Sequence, residues 1–378
     1  MEQPLGLNAR RGHSRRAFPR LSNVAFWLAA IAIFGTSSAI ALRDRPFRQA
    51  DQAVVSIPQE QAAAQPEQQA AAPAATEPQP AGGASIIRVD PPVQDNGVVV
   101  IRDPSALGQN LRVAHLPNKS VVEETEFGPL PVRAPDGTRP FDVYRRPWSG
   151  ARGARVAIVI GGLGVSQTGT QAAIEALPPE ITLALASGGN SIDRWMQTAR
   201  RQGHEILMQV PLEPFDYPNV DPGRNTLTVD AGPAENAERL RLALSRTTNY
   251  TGVMNYLGAR FTAERDAMQP VMGELAQRGL MYLDDGSSAR SLAGELAQAA
   301  RGPYAAADLH IDQVRERGDI LRKLDEAERI ARAKGSAIAI GSAFDATVSA
   351  VVEWANEARK RGIEIVPVSA LAIDPERQ

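Results

Sequence analysis

The chain has 378 residues, a formal net charge of −2, 43% apolar and 22% charged residues, proportions of a globular protein with room for more than one domain. That charge balance excludes the basic field a nucleic-acid binder presents. The absence of cysteine excludes disulfides, thiolate metal sites and cysteine nucleophiles, and only four histidines argue against a multi-histidine metal centre.

Residues 1–23 form a basic tail, with Arg10, Arg11, Arg15, Arg16 and Arg20 against the single acid Glu2. Residues 24–42 (VAFWLAAIAIFGTSSAIAL) carry no charge, and a helix of that length crosses a bilayer core of about 30 Å. Downstream, Arg43, Arg45 and Arg48 are diluted by Asp44 and Asp51. The upstream arginines therefore stay cytoplasmic, which predicts a single-pass inner-membrane anchor with the C-terminal part in the periplasm. A cleaved signal is the alternative: SRRAFPR at 14–20 resembles a twin-arginine motif, and Ala39-Ile40-Ala41 offers a cleavage site. Both readings export the protein.

Residues 43–150 read as a tether. From Gln49 to Ser85, 25 of 37 residues are Ala, Gln or Pro, too little apolar surface to offset chain entropy, so the stretch is expected to be disordered. From Ile86 to Gly150 β-branched residues return among prolines, as in Gly97-Val98-Val99-Val100-Ile101. This part reads as an extended segment leaning on the folded domain near Phe141, Tyr144 and Trp148.

From 151 to 374 the pattern is regular. β-branched runs such as RVAIVI (155–160), ITLALA (181–186) and SAIAIG (336–341) alternate with amphipathic stretches such as Gln167–Ala176 and Ala346–Lys360. Gly203, Gly279, Gly335 and Gly362 stand where helices end, as left-handed caps. Seven to eight such units predict an α/β domain with a parallel sheet, helices outside. Their number favours a deformed (β/α)7–8 barrel over an open doubly wound sheet. Barrels carry their chemistry on the loops after the C-terminal strand ends.

Those ends hold the candidate residues. Gly161-Gly162-Leu163-Gly164 follows the first strand, but a dinucleotide fingerprint needs glycine where Gln167 stands, and no P-loop lysine follows. The run reads as a tight turn. Glu213, Asp284 and Asp285 are candidates for general acid/base work or oxygen-ligand cation binding; for Asp284-Asp285-Gly286 the alternative is an Asx turn. Asn255 and Tyr256 suit sugar hydroxyls and a sugar face, with rim packing as the alternative. His310 has no histidine near it in sequence, and His204 reads as a structural cation at a helix end.

Taken in order, the apolar first strand with its x-x-L-G end, GHEILMQVPLEP (203–214), VMNYLGARFT (253–262), LMYLDDGSS (280–288), AIAIGSAFDAT (337–347) and VPVSAL (366–371) resemble the divergent polysaccharide deacetylases. The resemblance spans Arg155 to Leu371 and implies the deformed (β/α) barrel of carbohydrate deacetylases, a cation held by His and Asp, and an envelope glycan as substrate. Active relatives carry Asp-Asp where this chain has Gly161-Gly162, and histidines where it has Gln209, Tyr256 and Ser342. The resemblance thus assigns Gly161, Gly162, Gln209, Asn255, Tyr256 and Ser342 to a substrate cleft that has lost its metal ligands, so no cofactor is expected. Three readings stay open: a glycan-binding domain with a degenerate metal site, an active deacetylase with relocated ligands, and a scaffold for envelope machinery.

Overall fold

The structure, a computed structural model, describes residues 110 and 112–377; the basic tail, the apolar run 24–42 and the Ala/Gln/Pro-rich stretch lie outside them. Among the described residues no helix is long and apolar enough to cross a membrane.

The first described elements lie in the stretch expected to be tether. Strands β1 (Val122–Thr125) and β2 (Gly128–Pro131) pair as an antiparallel hairpin, and a short helix α1 spans Pro140–Tyr144. Phe141 and Tyr144 are both buried. Phe141 joins an inner cluster with Val159, Leu207, Met281, Val366 and Val368. Arg139 forks onto Asp374 with bonds of 2.6 and 2.9 Å, and the buried Arg200 donates to Tyr144 O at 2.8 Å. Glu205, fully buried, accepts from Arg146 N (2.9 Å) and Ser369 N (3.0 Å). The folded unit thus begins well before residue 151. Its early segment adds few apolar residues of its own, but Ala114, Val121 and Leu130 are all buried and Phe141 closes the floor of the sheet. The leaning of Phe141, Tyr144 and Trp148 on the domain is observed.

The remaining elements alternate as their periodicity requires: β3 (Arg155–Leu163), α2 (Gln167–Ala176), β4 (Thr182–Ala186), α3 (Ile192–Arg201), β5 (Ile206–Leu212), α4 (Pro233–Leu244), β6 (Gly252–Leu257) and α5 (Arg265–Gln277). They continue as β7 (Met281–Asp284), α6 (Ala293–Ala299), β8 (Tyr304–Ala306), β9 (Leu309–His310), α7 (Arg317–Lys334), β10 (Ser336–Ser342), α8 (Asp345–Lys360) and β11 (Glu364–Ile365). The sheet runs β8-β7-β6-β5-β4-β3-β10-β9, with β11 added against β3. Every pairing in it is parallel. It forms a curled parallel half-barrel. Its two ends, β8 on β7 and β9 on β10, belong to one extended run: Ala307 N donates to Asp284 O and Asp308 N to Ile338 O, at 2.9 and 2.8 Å.

Strand alternation divides the core. Val156, Ile158 and Ile160 of β3 face outward into the cluster that holds Trp195, Leu324 and Trp354 of the helices. Ala157 and Val159 face inward with Leu207, Met254, Leu283, Ile338 and Ile340. Gly335 closes α7 at φ +89°, and Gly279 follows α5 at φ +72°, the left-handed conformation glycine adopts without cost.

His204 departs from expectation. It is buried, with Nδ1 2.9 Å from Ile181 O, and burial lowers its pKa, which disfavours the cation expected at a helix end.

Candidate functional site

Continuing each strand's inward-facing series to its C-terminal end places five expected residues on one rim. The position after Val159 is Gly161, after Leu207 Gln209, after Met254 Tyr256, after Leu283 Asp285, and after Ile340 Ser342. Gly161 and Ser342 are register partners on neighbouring strands.

The interior of this rim is filled differently from what two glycines suggest. Gln209 is 7% exposed, and its Oε1 accepts from Gly162 N at 2.6 Å. A Cβ added at Gly161 would lie 2.7 Å from Gln209 Nε2. The amide therefore occupies the room that a side chain at 161 would take, and Gly161 does not widen the cleft. Gly162 sits at φ +76°, and a Cβ added there would meet nothing within 4 Å.

The carboxylates do not act as a set. Asp284 is the last residue of β7 and Asp285 follows it in the loop, and the two carboxylates have different partners. Asp284 Oδ1 accepts from Gly286 N (2.9 Å) and Oδ2 from Ser291 Oγ (2.5 Å), which is the Asx turn. Asp285 faces the rim interior, 7% exposed, with Oδ1 accepting from Ser287 N at 2.8 Å. Burial raises its carboxyl above the usual range, while bonds from Ser287 and Asn255 and the charge of nearby His310 act in the opposite sense. Glu213, 2% exposed, is paired with Arg260 and accepts from Val229 N at 2.6 Å. It ties the loop after β5 to the loop after β6, and its carboxylate is committed to that.

Asn255 is buried as well. Its Nδ2 donates to Leu257 O (2.7 Å) and its Oδ1 accepts from Asp285 N (2.9 Å), so it holds the β6 turn, where Leu257 adopts φ +58°. Tyr256, beside it, is 47% exposed. Ser342 N donates to Asp312 Oδ2 at 2.6 Å. His310, which has no second histidine near it in sequence, has its Nε2 buried without a hydrogen-bond partner, and its charge acts on Asp285.

A His- and Asp-held cation does not fit these residues. Gly161 and Gly162 offer no side-chain donor, the Gln209 amide is bonded to Gly162, and Glu213 is paired. Among the described residues no group of three or more His, Cys, Asp or Glu is placed to hold a metal ion.

The rim has a second feature that sequence reasoning missed. Of the ten exposed large apolar side chains among the described residues, seven lie at this end of the strands: Val165, Phe215, Tyr217, Val220, Tyr256, Val314 and Phe344. All four exposed aromatics are among them. Apolar residues within loops that carry turn signals were the available clue.

Relatives share this domain. A protein of Haemophilus influenzae is 30% identical over 188 residues, which is 50% of this chain and 66% of the relative. Escherichia coli K12 YibQ is 26% identical over 222 residues, 59% of this chain and 68% of YibQ. The matches thus span about two thirds of these curated relatives' length, and both are described as uncharacterized. The crystal structure of an uncharacterized protein from Agrobacterium tumefaciens C58 superposes with TM-score 0.63 and 57% identity, covering 64% of this chain and 98% of that one. The divergent polysaccharide deacetylase model matches residues 158–372, more than half of the chain, and with it the chain belongs to the divergent polysaccharide deacetylases.

Proposed function

We propose that the chain is an envelope protein whose strand-end rim binds polysaccharide, of the peptidoglycan type or a related glycan, without a metal ion. The observation that carries this is the gathering of exposed aromatic side chains on the rim. Isolated exposed apolar residues need no explanation, whereas a cluster at one edge signals a binding surface, and flat rings suit the apolar faces of sugars. Around them Gln209, Asn255, Glu213 and Asp285 hold the rim's shape through the bonds described above. Tyr256→Ala is expected to weaken binding of an N-acetylglucosamine hexamer about fivefold, read by calorimetry, with the melting temperature unchanged because the ring is half exposed. Equal binding by parent and variant would refute the assignment.

The location belongs to the same proposal and rests on the sequence: arginines before the apolar run 24–42 put the domain in the periplasm on a single inner-membrane anchor. A reporter fused after Gln378 that is active only in the cytoplasm would overturn it. A second reading, hydrolysis by relocated groups, draws on one observation, the electrostatic influence of His310 on the buried Asp285. Two such groups with no third donor support it less well than the aromatic rim supports binding.

A further inference from the structure

This inference rests on the glycan-binding reading and deepens it. Two arginines stand on the rim with no charge opposite them. Arg290, exposed in the loop after β7, lies over the Phe215 ring from the loop after β5, 4.9 Å from its centroid. Arg315, exposed in the loop after β9, lies over the Phe344 ring from the loop after β10 at 3.9 Å. Among the described residues neither guanidinium makes an ion pair or a hydrogen bond. Of the rim's other charged groups, Arg260 pairs with Glu213 and Asp230, and Asp312 accepts hydrogen bonds from Ser342 N and Thr347 Oγ1.

A guanidinium stacked on a ring is held in orientation, and its in-plane N–H groups remain available at the edge. That arrangement is suited to bidentate contact with a carboxylate or a phosphate. A neutral sugar chain gives these donors only hydroxyls. One stacked pair joins the loops after β5 and β7 and the other the loops after β9 and β10, all strands of the one parallel sheet. A polymer lying along the rim meets both.

We propose that the glycan bound at this rim is anionic, a polysaccharide bearing carboxylates or phosphates that Arg290 and Arg315 recognise while its sugar faces stack on the exposed rings. The full chain in detergent is titrated by calorimetry with three probes: an N-acetylglucosamine hexamer, a hyaluronan hexasaccharide that adds carboxylates, and a phosphorylated mannan fragment of similar length. At least one anionic probe is expected to bind about fivefold tighter than the neutral hexamer at low salt, and the advantage to shrink at about 0.5 M salt. The double variant Arg290→Gln, Arg315→Gln is expected to abolish the preference while its circular dichroism and melting temperature match the parent.

If the neutral hexamer binds as tightly as both anionic probes, this inference fails and the glycan-binding reading stands. An anionic preference that survives in the double variant also overturns it, because the charge is then read elsewhere. If none of the three binds, both readings fail.

Discussion

Removing the Phe141 ring tests whether the segment before residue 151 is part of the fold. The side chain is 2% exposed, it shares the inner cluster with residues of β3, β5, β7 and the C-terminal segment, and Arg139 lies over its ring at 5.3 Å. Phe141→Ala removes the transfer free energy of the ring and leaves a cavity that strands on three sides cannot collapse to fill. Such substitutions cost about 3–5 kcal/mol. In a domain of this size each kcal/mol lowers the melting temperature by about 2–4 °C, so the variant is expected to melt on the order of 10 °C below the parent. Urea denaturation followed by circular dichroism gives the free energy directly, with an unchanged slope showing that the loss is one of stability rather than of compactness. A fragment starting at residue 151 loses Phe141, Tyr144, Leu130 and the Arg139–Asp374 pair together, and is expected not to fold cooperatively where one starting at residue 110 does. A loss below about 1 kcal/mol in Phe141→Ala, or parental melting by the 151–378 fragment, would refute the reasoning.

Two more outcomes follow from charge. Burial pushes Asp374 up, but bonds and charge from Arg139 outweigh it and hold the carboxyl below its ordinary value. A depressed folded value means that this stabilisation is complete above the unfolded value of 3.8 and is lost as pH falls through the folded one. Asp374→Asn is therefore expected to flatten the fall of melting temperature between about pH 5 and about pH 2; an identical acid limb in parent and variant would count against the pair. The donor set described above also predicts that the chain, purified from zinc-supplemented medium, carries much less than one zinc per chain and releases no acetate from an N-acetylglucosamine hexamer. One zinc per chain, or acetate release abolished by Asp285→Ala, would restore the hydrolytic reading.

Much of the scaffold was legible in the residues because its signals are local. The β-branched runs at 155–160 and 336–341 and the helical stretch Gln167–Ala176 match their elements to within three residues, and glycine marks the end of α7 as expected. The strand-end positions of Gln209, Tyr256, Asp285 and Ser342 were legible from the same runs, whereas their facing one interior follows from the inward series of each strand in the folded sheet. The hairpin at 122–131 and the helix at 140–144 were not legible: short, proline-containing elements carry too little periodicity to stand out, and they are held by tertiary contacts with β5, α3 and the C-terminal segment.

What each candidate side chain does was decided only by its distant neighbours. The sequence marks Glu213 as an acid near a strand end; folding brings Arg260 to it and makes it a loop tie. It marks Gly161 as an absence; folding places the Gln209 amide in that space. Asp284 and Asp285 look like a pair in sequence, and the fold separates their roles: Asp284 is tied down by Gly286 N and Ser291 Oγ, while Asp285 accepts from Ser287 N. Periodicity reports which way a residue faces, a property of a few consecutive peptide units. What it faces depends on segments tens of residues away, and only the closing of the sheet determines which groups meet.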